Sequence, residues 1–230
     1  MASAIIVAAG SGRRMNAPIP KQYIQLAGLP ILTHTLLVFD AHPDISRIVI
    51  VVAADDVTYC LNRIVPAADR QHVIEVIAGG AERSDSVYRG LAAVAGGDDI
   101  VLIHDGVRPF VSPEMISACI AGAETSGACV PGVPATDTLK RVDGDGGIAE
   151  TIPRQNVWLA QTPQAFSLDL IRRAYDDAIK TRRFVTDDAE LVEHLGHRVE
   201  MIAGSAGNIK ITGPSDIVLA RALLEINAGA

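Results

Sequence analysis

Short runs of aliphatic, largely β-branched residues recur along the chain at Ala4 to Ala9, Arg47 to Ala53, Val73 to Ile77, Ile100 to Ile103 and Ala128 to Val133. Between them, Ile31 to Ala41, Arg83 to Ala95 and Pro113 to Thr125 carry apolar residues at helical spacing. Ser112 followed by Pro113 is a strong helix start, because the hydroxyl caps and proline fits the first turn. Strands this uniformly apolar are buried on both faces, as in parallel sheets covered by helices. Because the strand–helix–strand connection is almost always right-handed, the helices fall on both faces. The pattern predicts an α/β fold, a Rossmann-like, mainly parallel sheet with helices on both sides.

From Pro134 to Val157 the pattern breaks into polar residues around a glycine-rich turn, Asp143-Gly-Asp-Gly-Gly147, and reads as a protruding β-hairpin arm. Helical spacing resumes over Leu168 to Arg182, Asp187 to Leu195 and Pro214 to Ile226, with strands expected at Arg198 to Ile202 and Asn208 to Thr212. The only tryptophan, Trp158, is expected to anchor the base of the arm by apolar packing.

Composition narrows the class. A chain of 230 residues with 49% apolar and only 4% aromatic content suits one domain over 1–230, with 134–157 as its arm. Its net charge of −7 argues against neutralising the phosphates of DNA or RNA, although a local basic pocket remains open. Cys60, Cys119 and Cys129 are odd in number and widely spaced, so they encode neither a disulfide framework nor a zinc site. A reducing, cytoplasmic setting is expected. The first apolar run lacks a preceding basic region, and no stretch reaches the ~20 apolar residues of a membrane span.

The chemistry begins at Ala8-Ala-Gly-Ser-Gly-Arg-Arg-Met15, directly after the first strand. Gly10 and Gly12 let the backbone approach a ligand, and the exposed N–H groups of such a loop form an anion-binding nest; a plain strand-to-helix turn is the bland reading. A dinucleotide fingerprint needs a third small residue where Met15 stands. A Walker A loop needs Gly-Lys-Ser/Thr, but Lys21 lies between Pro20 and Gln22. What remains is a glycine loop with two cations, Arg14 and Lys21, suited to a triphosphate attacked at its α-phosphorus. In this the chain resembles the nucleotidyltransferases that activate sugar and polyol phosphates.

Further blocks follow in order: Gly79-Gly-Ala-Glu-Arg-Ser-Asp-Ser-Val87, His104-Asp-Gly-Val-Arg-Pro109, Asp137-Thr-Leu-Lys140, Thr162-Pro-Gln164, Thr186-Asp-Asp188 and Gly207-Asn-Ile-Lys-Ile-Thr212. Together they resemble the 2-C-methyl-D-erythritol 4-phosphate cytidylyltransferase family over nearly the whole chain. Ribitol 5-phosphate cytidylyltransferases share most of the blocks. The resemblance implies cytidylyl transfer from CTP to a polyol phosphate with Mg²⁺, held mainly by the CTP phosphates, in a homodimer joined through the arm. It implies catalytic roles for Arg14, Lys21, Arg154 and Lys210, and CTP contacts from Ala8, Ala9, Gly10, Gly12, Gly80, Ala81, Ser86, Asp105 and Gly106. The polyol phosphate would meet Asp105, Arg108, Thr138, Arg154, Thr162, Thr186 and Lys210, with Thr138 and Arg154 reaching a partner's site. Two departures stand out: Ala81 where an acidic residue is common, and Gly106-Val107 where the pattern is Ala-Ala.

Read without the resemblance, several of these residues have plain explanations. Arg14 and Lys21 fit solvated charges, Asp105 fits a cap or an ion pair with Arg108, and Lys210 fits the solvent side of an edge strand. His104 reads as structural. From other classes, a dinucleotide-binding oxidoreductase is opposed by Met15, while a non-catalytic nucleotide sensor would keep the glycine loop without needing Lys210 or Arg154.

Overall fold

A computed structural model describes residues 1–10, 19–68, 72–94, 99–182, 185 and 187–228. In chain order its strands and helices are β1 (Ala2–Ala8), β2 (Gln25–Leu26), β3 (Leu29–Pro30), α1 (Ile31–Asp40), β4 (Ile45–Val52), α2 (Val57–Tyr59), β5 (Val73–Ala78), α3 (Arg83–Ala93), β6 (Ile100–Asp105), α4 (Pro113–Ser126), β7 (Ala128–Pro134), β8 (Leu139–Val142), β9 (Ile148–Ile152), β10 (Trp158–Ala160), β11 (Gln164–Ser167), α5 (Leu168–Thr181), α6 (Asp188–His194), β12 (Glu200–Ala203) and α7 (Pro214–Ala228).

The main sheet runs β10-β7-β11-β6-β1-β4-β5, with β12 also paired to β7. Strand β1 lies between β4 and β6, parallel to both, and β5 continues the parallel set beyond β4. The chain therefore leaves β1 toward one edge and later crosses back to β6 on its other side. That reversal opens a crevice at the C-terminal ends of β1 and β6, where ligands of open α/β sheets bind. Strand β11 slips antiparallel between β6 and β7. Its four residues, Gln164-Ala-Phe-Ser167, are too few to stand out as a strand in sequence.

Alternation sends neighbouring strand residues to opposite faces. Ile6, Ile48, Ile50 and Leu102 pack under α1 and α4, while Ile5, Val49, Val51 and Val101 pack under α3, α5 and α6. A smaller cluster of Leu26, Ile31, Val107, Ile211 and Ala220 seats α7 beside the crevice. Helix α4 starts as its sequence dictates: Ser112 Oγ accepts the Met115 N–H at 3.2 Å, and Gly127 (φ +80°) ends the helix left-handed.

Two expectations are corrected. Asn208 to Thr212 is not a strand, because its backbone bonds turn to the loop after β6, with the Ile211 N–H donating to the Val107 carbonyl at 2.9 Å. Trp158 is not packed at the arm's base: it lies 40% exposed on short β10, next to Leu159 at 54%. Strands β8 and β9 form a separate two-stranded hairpin whose turn is held by Asp143 Oδ1, which accepts the Gly147 N–H at 2.8 Å.

Helix α3 sits close on the sheet because Gly90 faces β1. A Cβ there would come within 2.6 Å of Ile5 Cγ2, on a stiff, fully buried side chain. Gly90→Ala is expected to lower the unfolding free energy by about 1 kcal/mol, the midpoint of an overpacking cost of ~1–3 kcal/mol less a gain of ~1 kcal/mol in helix propensity. Urea titration measures this, and an unchanged or raised midpoint would show that α3 moves off the sheet freely.

Candidate active site

The crevice at the C-terminal ends of β1 and β6 is a cleft of about 150 Å³. One wall is the end of β1, Ala8, Ala9 and Gly10; the second is the loop after β5, Gly80 to Arg83 with Ser86; the floor is Asp105 and Val107; Lys21 and Lys210 stand at its sides. Lys21 is placed by its neighbour. The buried Gln22 amide donates to the Ala8 carbonyl at 2.9 Å, which clamps the turn Lys21–Tyr23 to the end of β1.

The loop after β5 is folded tightly onto the start of α3. A Cβ on Gly79 would lie 2.6 Å from Ser86 Oγ, and one on Gly80 would lie 2.2 Å from the Asp85 Cβ. Ser86 Oγ accepts the Gly80 N–H at 3.1 Å and its hydroxyl donates to the Glu82 carbonyl at 3.1 Å. Asp85 accepts the Glu82 N–H at 3.1 Å, and Arg89 donates to the Gly79 carbonyl at 2.8 Å. Small residues and a hydroxyl thus hold a tightly bonded rim of backbone in the same cleft as Gly10.

Asp105 is the electrostatic centre. Its Oδ2 lies 2.8 Å from Lys210 Nζ and 3.5 Å from Arg108 Nε, and its Oδ1 lies 3.3 Å from Arg83 Nε. Burial alone would raise its pKa, but Arg83, Lys210 and Arg108 more than offset it and hold the carboxyl well below the usual range. Arg83 also reaches back, with Nη2 at 2.8 Å from Asp188 Oδ2, while Asp188 Oδ1 accepts the Tyr175 hydroxyl at 2.5 Å. Burial works against the Arg83 cation, yet Asp188 and Asp105 outweigh it and raise its pKa. Burial, and after it Asp188, raises the Tyr175 hydroxyl too.

Behind Asp105 a hydrogen-bonded layer fixes its backbone. Its N–H donates to Thr162 Oγ1 at 3.1 Å, and the Thr162 hydroxyl donates to His104 Nδ1 at 3.0 Å. The other ring nitrogen, Nε2, donates to the Arg108 carbonyl at 3.1 Å, a tautomer assigned from these partners. The ring is fully buried, and burial lowers its pKa to about 4. Arg108 Nη1 donates to the Asn208 carbonyl at 2.8 Å, and Asn208 Nδ2 donates to the Thr162 carbonyl at 2.9 Å, so the Lys210 segment is tied to the same layer. Gly106 packs rather than lines: its N–H donates to the Val7 carbonyl, and a Cβ would meet Leu32 Cδ1 at 2.9 Å.

Of the residues singled out in sequence, Ala8, Ala9, Gly10, Lys21, Gly80, Ala81, Ser86, Asp105 and Lys210 line this one cleft. Arg108 and Thr162 brace Asp105 from behind. Thr138 and Arg154 are exposed on the arm and line no part of this chain's own cleft, where Arg154 donates to the Thr136 carbonyl and Lys140 Nζ donates to Thr151 Oγ1 at 2.6 Å. Gly12, Arg14 and Thr186 lie outside the described residues. Sequence reading missed Arg83, Gln22 and the Asp188–Tyr175 pair. A signal for Arg83 existed, since a cation in a helix's first turn opposes the helix dipole and needs a carboxylate nearby.

The model of the family "IspD: 2-C-methyl-D-erythritol 4-phosphate cytidylyltransferase" matches residues 2–226. A 2-C-methyl-D-erythritol 4-phosphate cytidylyltransferase of Syntrophus aciditrophicus is 47% identical over 226 residues, 98% of this chain and 97% of that protein. One of Geobacter metallireducens is 46% identical, over 96% and 97% of the two chains. The crystal structure of 4-diphosphocytidyl-2C-methyl-D-erythritol synthase from Anaerococcus prevotii superposes with a TM-score of 0.86 at 35% identity, covering 98% of this chain and 96% of that one.

The buried imidazole gives a signed pH dependence. His104 binds a proton near pH 6.5 when unfolded but only near pH 4 when folded, so its contribution is fully present above pH 6.5 and is lost as pH falls toward 4. The loss amounts to about 3 kcal/mol; the window of Asp105 lies lower, below pH 3.8. Urea unfolding at pH 7 and pH 4.5 is expected to show a much shallower pH dependence in His104→Gln than in the wild type. Equal slopes would show that another group carries the loss.

Proposed function

The chain belongs to the 2-C-methyl-D-erythritol 4-phosphate cytidylyltransferase family, and we propose how the residues of its cleft divide the work of that reaction. The enzyme transfers a cytidylyl group from CTP to 2-C-methyl-D-erythritol 4-phosphate, giving 4-diphosphocytidyl-2-C-methyl-D-erythritol and pyrophosphate. The ribitol, oxidoreductase and sensor alternatives find no support in these likenesses. For the division of labour, one observation carries most weight: residues from four distant blocks, Ala8 to Gly10 with Lys21, Gly80 to Arg83 with Ser86, Asp105 and Lys210, line a single cleft.

An oxygen of the polyol phosphate attacks the α-phosphorus of CTP, and the bond to the bridging oxygen of pyrophosphate breaks. That phosphate is already largely ionised at pH 7, its second pKa being near 6, so no strong base is needed. What the protein must supply is orientation and cation density. In our reading the backbone of Gly80 and Ala81, with Ser86, takes the cytosine and the glycine loop after β1 takes the triphosphate. Lys21, with Arg14, meets the charge that builds as pyrophosphate leaves. Lys210, with Arg154 from the partner's arm, orients the acceptor phosphate, and Arg108 holds Asp105 behind it.

Magnesium would arrive on the CTP phosphates. No group of three or more His, Cys, Asp or Glu suited to a metal occurs among the described residues, and both oxygens of Asp105 are already engaged by cations. A hard cation that keeps most of its ligands as phosphate and water matches that donor set. Its chemistry would be to neutralise the triphosphate.

The arm supports a homodimer. Val142 and Ile148 are 58% and 66% exposed on it, and Trp158 and Leu159 extend the apolar surface at its base. A second copy, related by twofold symmetry, would cover these residues and bring Thr138 and Arg154 toward its neighbour's cleft. A cytoplasmic site of action is supported by three free, buried cysteines, and no helix of the described residues is long and apolar enough to cross a membrane.

Release of pyrophosphate tests the reaction. CTP with 2-C-methyl-D-erythritol 4-phosphate is expected to turn over far faster than ATP or GTP, or than CTP with ribitol 5-phosphate. Equal rates with a purine triphosphate would overturn the role given to the Gly80 to Ser86 rim.

The shared site has its own test. Mixing inactive Lys21→Ala chains with inactive Arg154→Ala chains is expected to restore activity, because one cleft of each mixed dimer then has both residues intact. Mixed dimers, verified by mass, that stay inactive would place Arg154 in its own subunit's cleft.

A further inference from the structure

We propose that Arg83 is a positioning residue of this reaction: it braces Asp105 so that Lys210 is released to the acceptor phosphate with the carboxylate still in place. The proposal rests on the cytidylyl-transfer reading of the cleft. It begins from a conflict in the geometry. Lys210 Nζ, the group assigned to the acceptor phosphate, is 2.8 Å from Asp105 Oδ2. A cation shared between a carboxylate and an arriving phosphate must loosen its hold on the first. Asp105 is buried, and a buried carboxylate that loses its counter-charge either takes a proton or turns to find another partner.

Arg83 prevents both. It engages the other oxygen, Oδ1, at 3.3 Å, so the carboxylate plane is fixed independently of Lys210. The guanidinium cannot follow the substrate, because Nη2 is anchored 2.8 Å from Asp188, a fully buried carboxylate itself held by the Tyr175 hydroxyl. Arg108 is the second brace on Oδ2, but at 3.5 Å it is longer. A planar fork spanning two buried carboxylates suits this task, and an ammonium reaches only one of them well.

The test uses the full-length protein and two substitutions that keep charge balance in the core. Arg83→Met alone strands the Asp188 charge, so Arg83→Met/Asp188→Asn is the working variant, its new side-chain carbonyl still being able to accept from the Tyr175 hydroxyl. We expect its KM for 2-C-methyl-D-erythritol 4-phosphate to rise about tenfold or more, the scale of a lost charged hydrogen bond, with KM for CTP changed less than about twofold. Arg83→Lys should recover part of the loss. A double-mutant cycle with Asp105→Asn reads the dissociation constant of the polyol phosphate in the presence of α,β-methylene-CTP. Once Asp105 is neutral, removing the Arg83 fork should weaken binding no further. Full additivity in that cycle would mean that Arg83 touches the substrate itself, and would overturn the proposal. So would an unchanged polyol KM in the working variant, provided the wild type turns over both substrates; a wild type that does not would instead overturn the reading of the cleft.

Discussion

One buried carboxylate organises this molecule's chemistry. Asp105 ends the central strand β6, and three cations from three places in the chain meet on it: Arg83 from the start of α3, Arg108 from the following loop and Lys210 from the segment before α7. None of these elements is adjacent to another in sequence, so the carboxylate fixes their mutual distances. Removing one partner of such a buried pair commonly costs ~3–5 kcal/mol, because the charge left behind has no water to replace it. The cost makes the cluster a template: cations that would repel one another at the mouth of the cleft are held together by the carboxylate they share. Preorganisation of this kind is the larger part of catalysis by charge.

The backbone around the cluster is shaped to the same end. Reversal of strand order between β1 and β6 opens the crevice, and glycine at 79 and 80 lets the following loop fold onto α3 where side chains would collide. Rigidity there comes from the bonds of Ser86, Asp85 and Arg89 to the loop's own backbone. The arm works differently. It pairs only with itself, so its exposed apolar residues speak for contacts outside the chain.

Much of this was legible in the sequence, for identifiable reasons. Aliphatic runs and helical spacing located β1, β4, β5, β6 and β7 to within two residues at either end, because a parallel sheet buried on both faces demands uninterrupted hydrophobicity. The cleft residues were legible through their glycines and through the order of the blocks. Strand β11 was not: four residues inserted between two parallel strands by tertiary context leave no periodic trace. Nor was the segment around Lys210, whose Ile-Lys-Ile alternation imitates an edge strand while its backbone bonds to the loop after β6. Arg83 escaped because its partners lie 22 and 105 residues away, and long-range pairing of charges has no local signature.

The same cluster explains why the described residues of the site offer no general base. His104 sits next to Asp105, yet both of its ring nitrogens are occupied, by Thr162 and by the Arg108 carbonyl, and burial keeps the ring neutral down to about pH 4. A base placed among Arg83, Arg108 and Lys210 would have its pKa driven down by them and would be a poor proton acceptor. A nucleophile that arrives already ionised escapes that penalty, and the cations that would disable a base attract it instead. The reaction and the electrostatics therefore require each other: a phosphate oxygen attacking phosphorus is the kind of nucleophile that a site built around cations can activate by position alone.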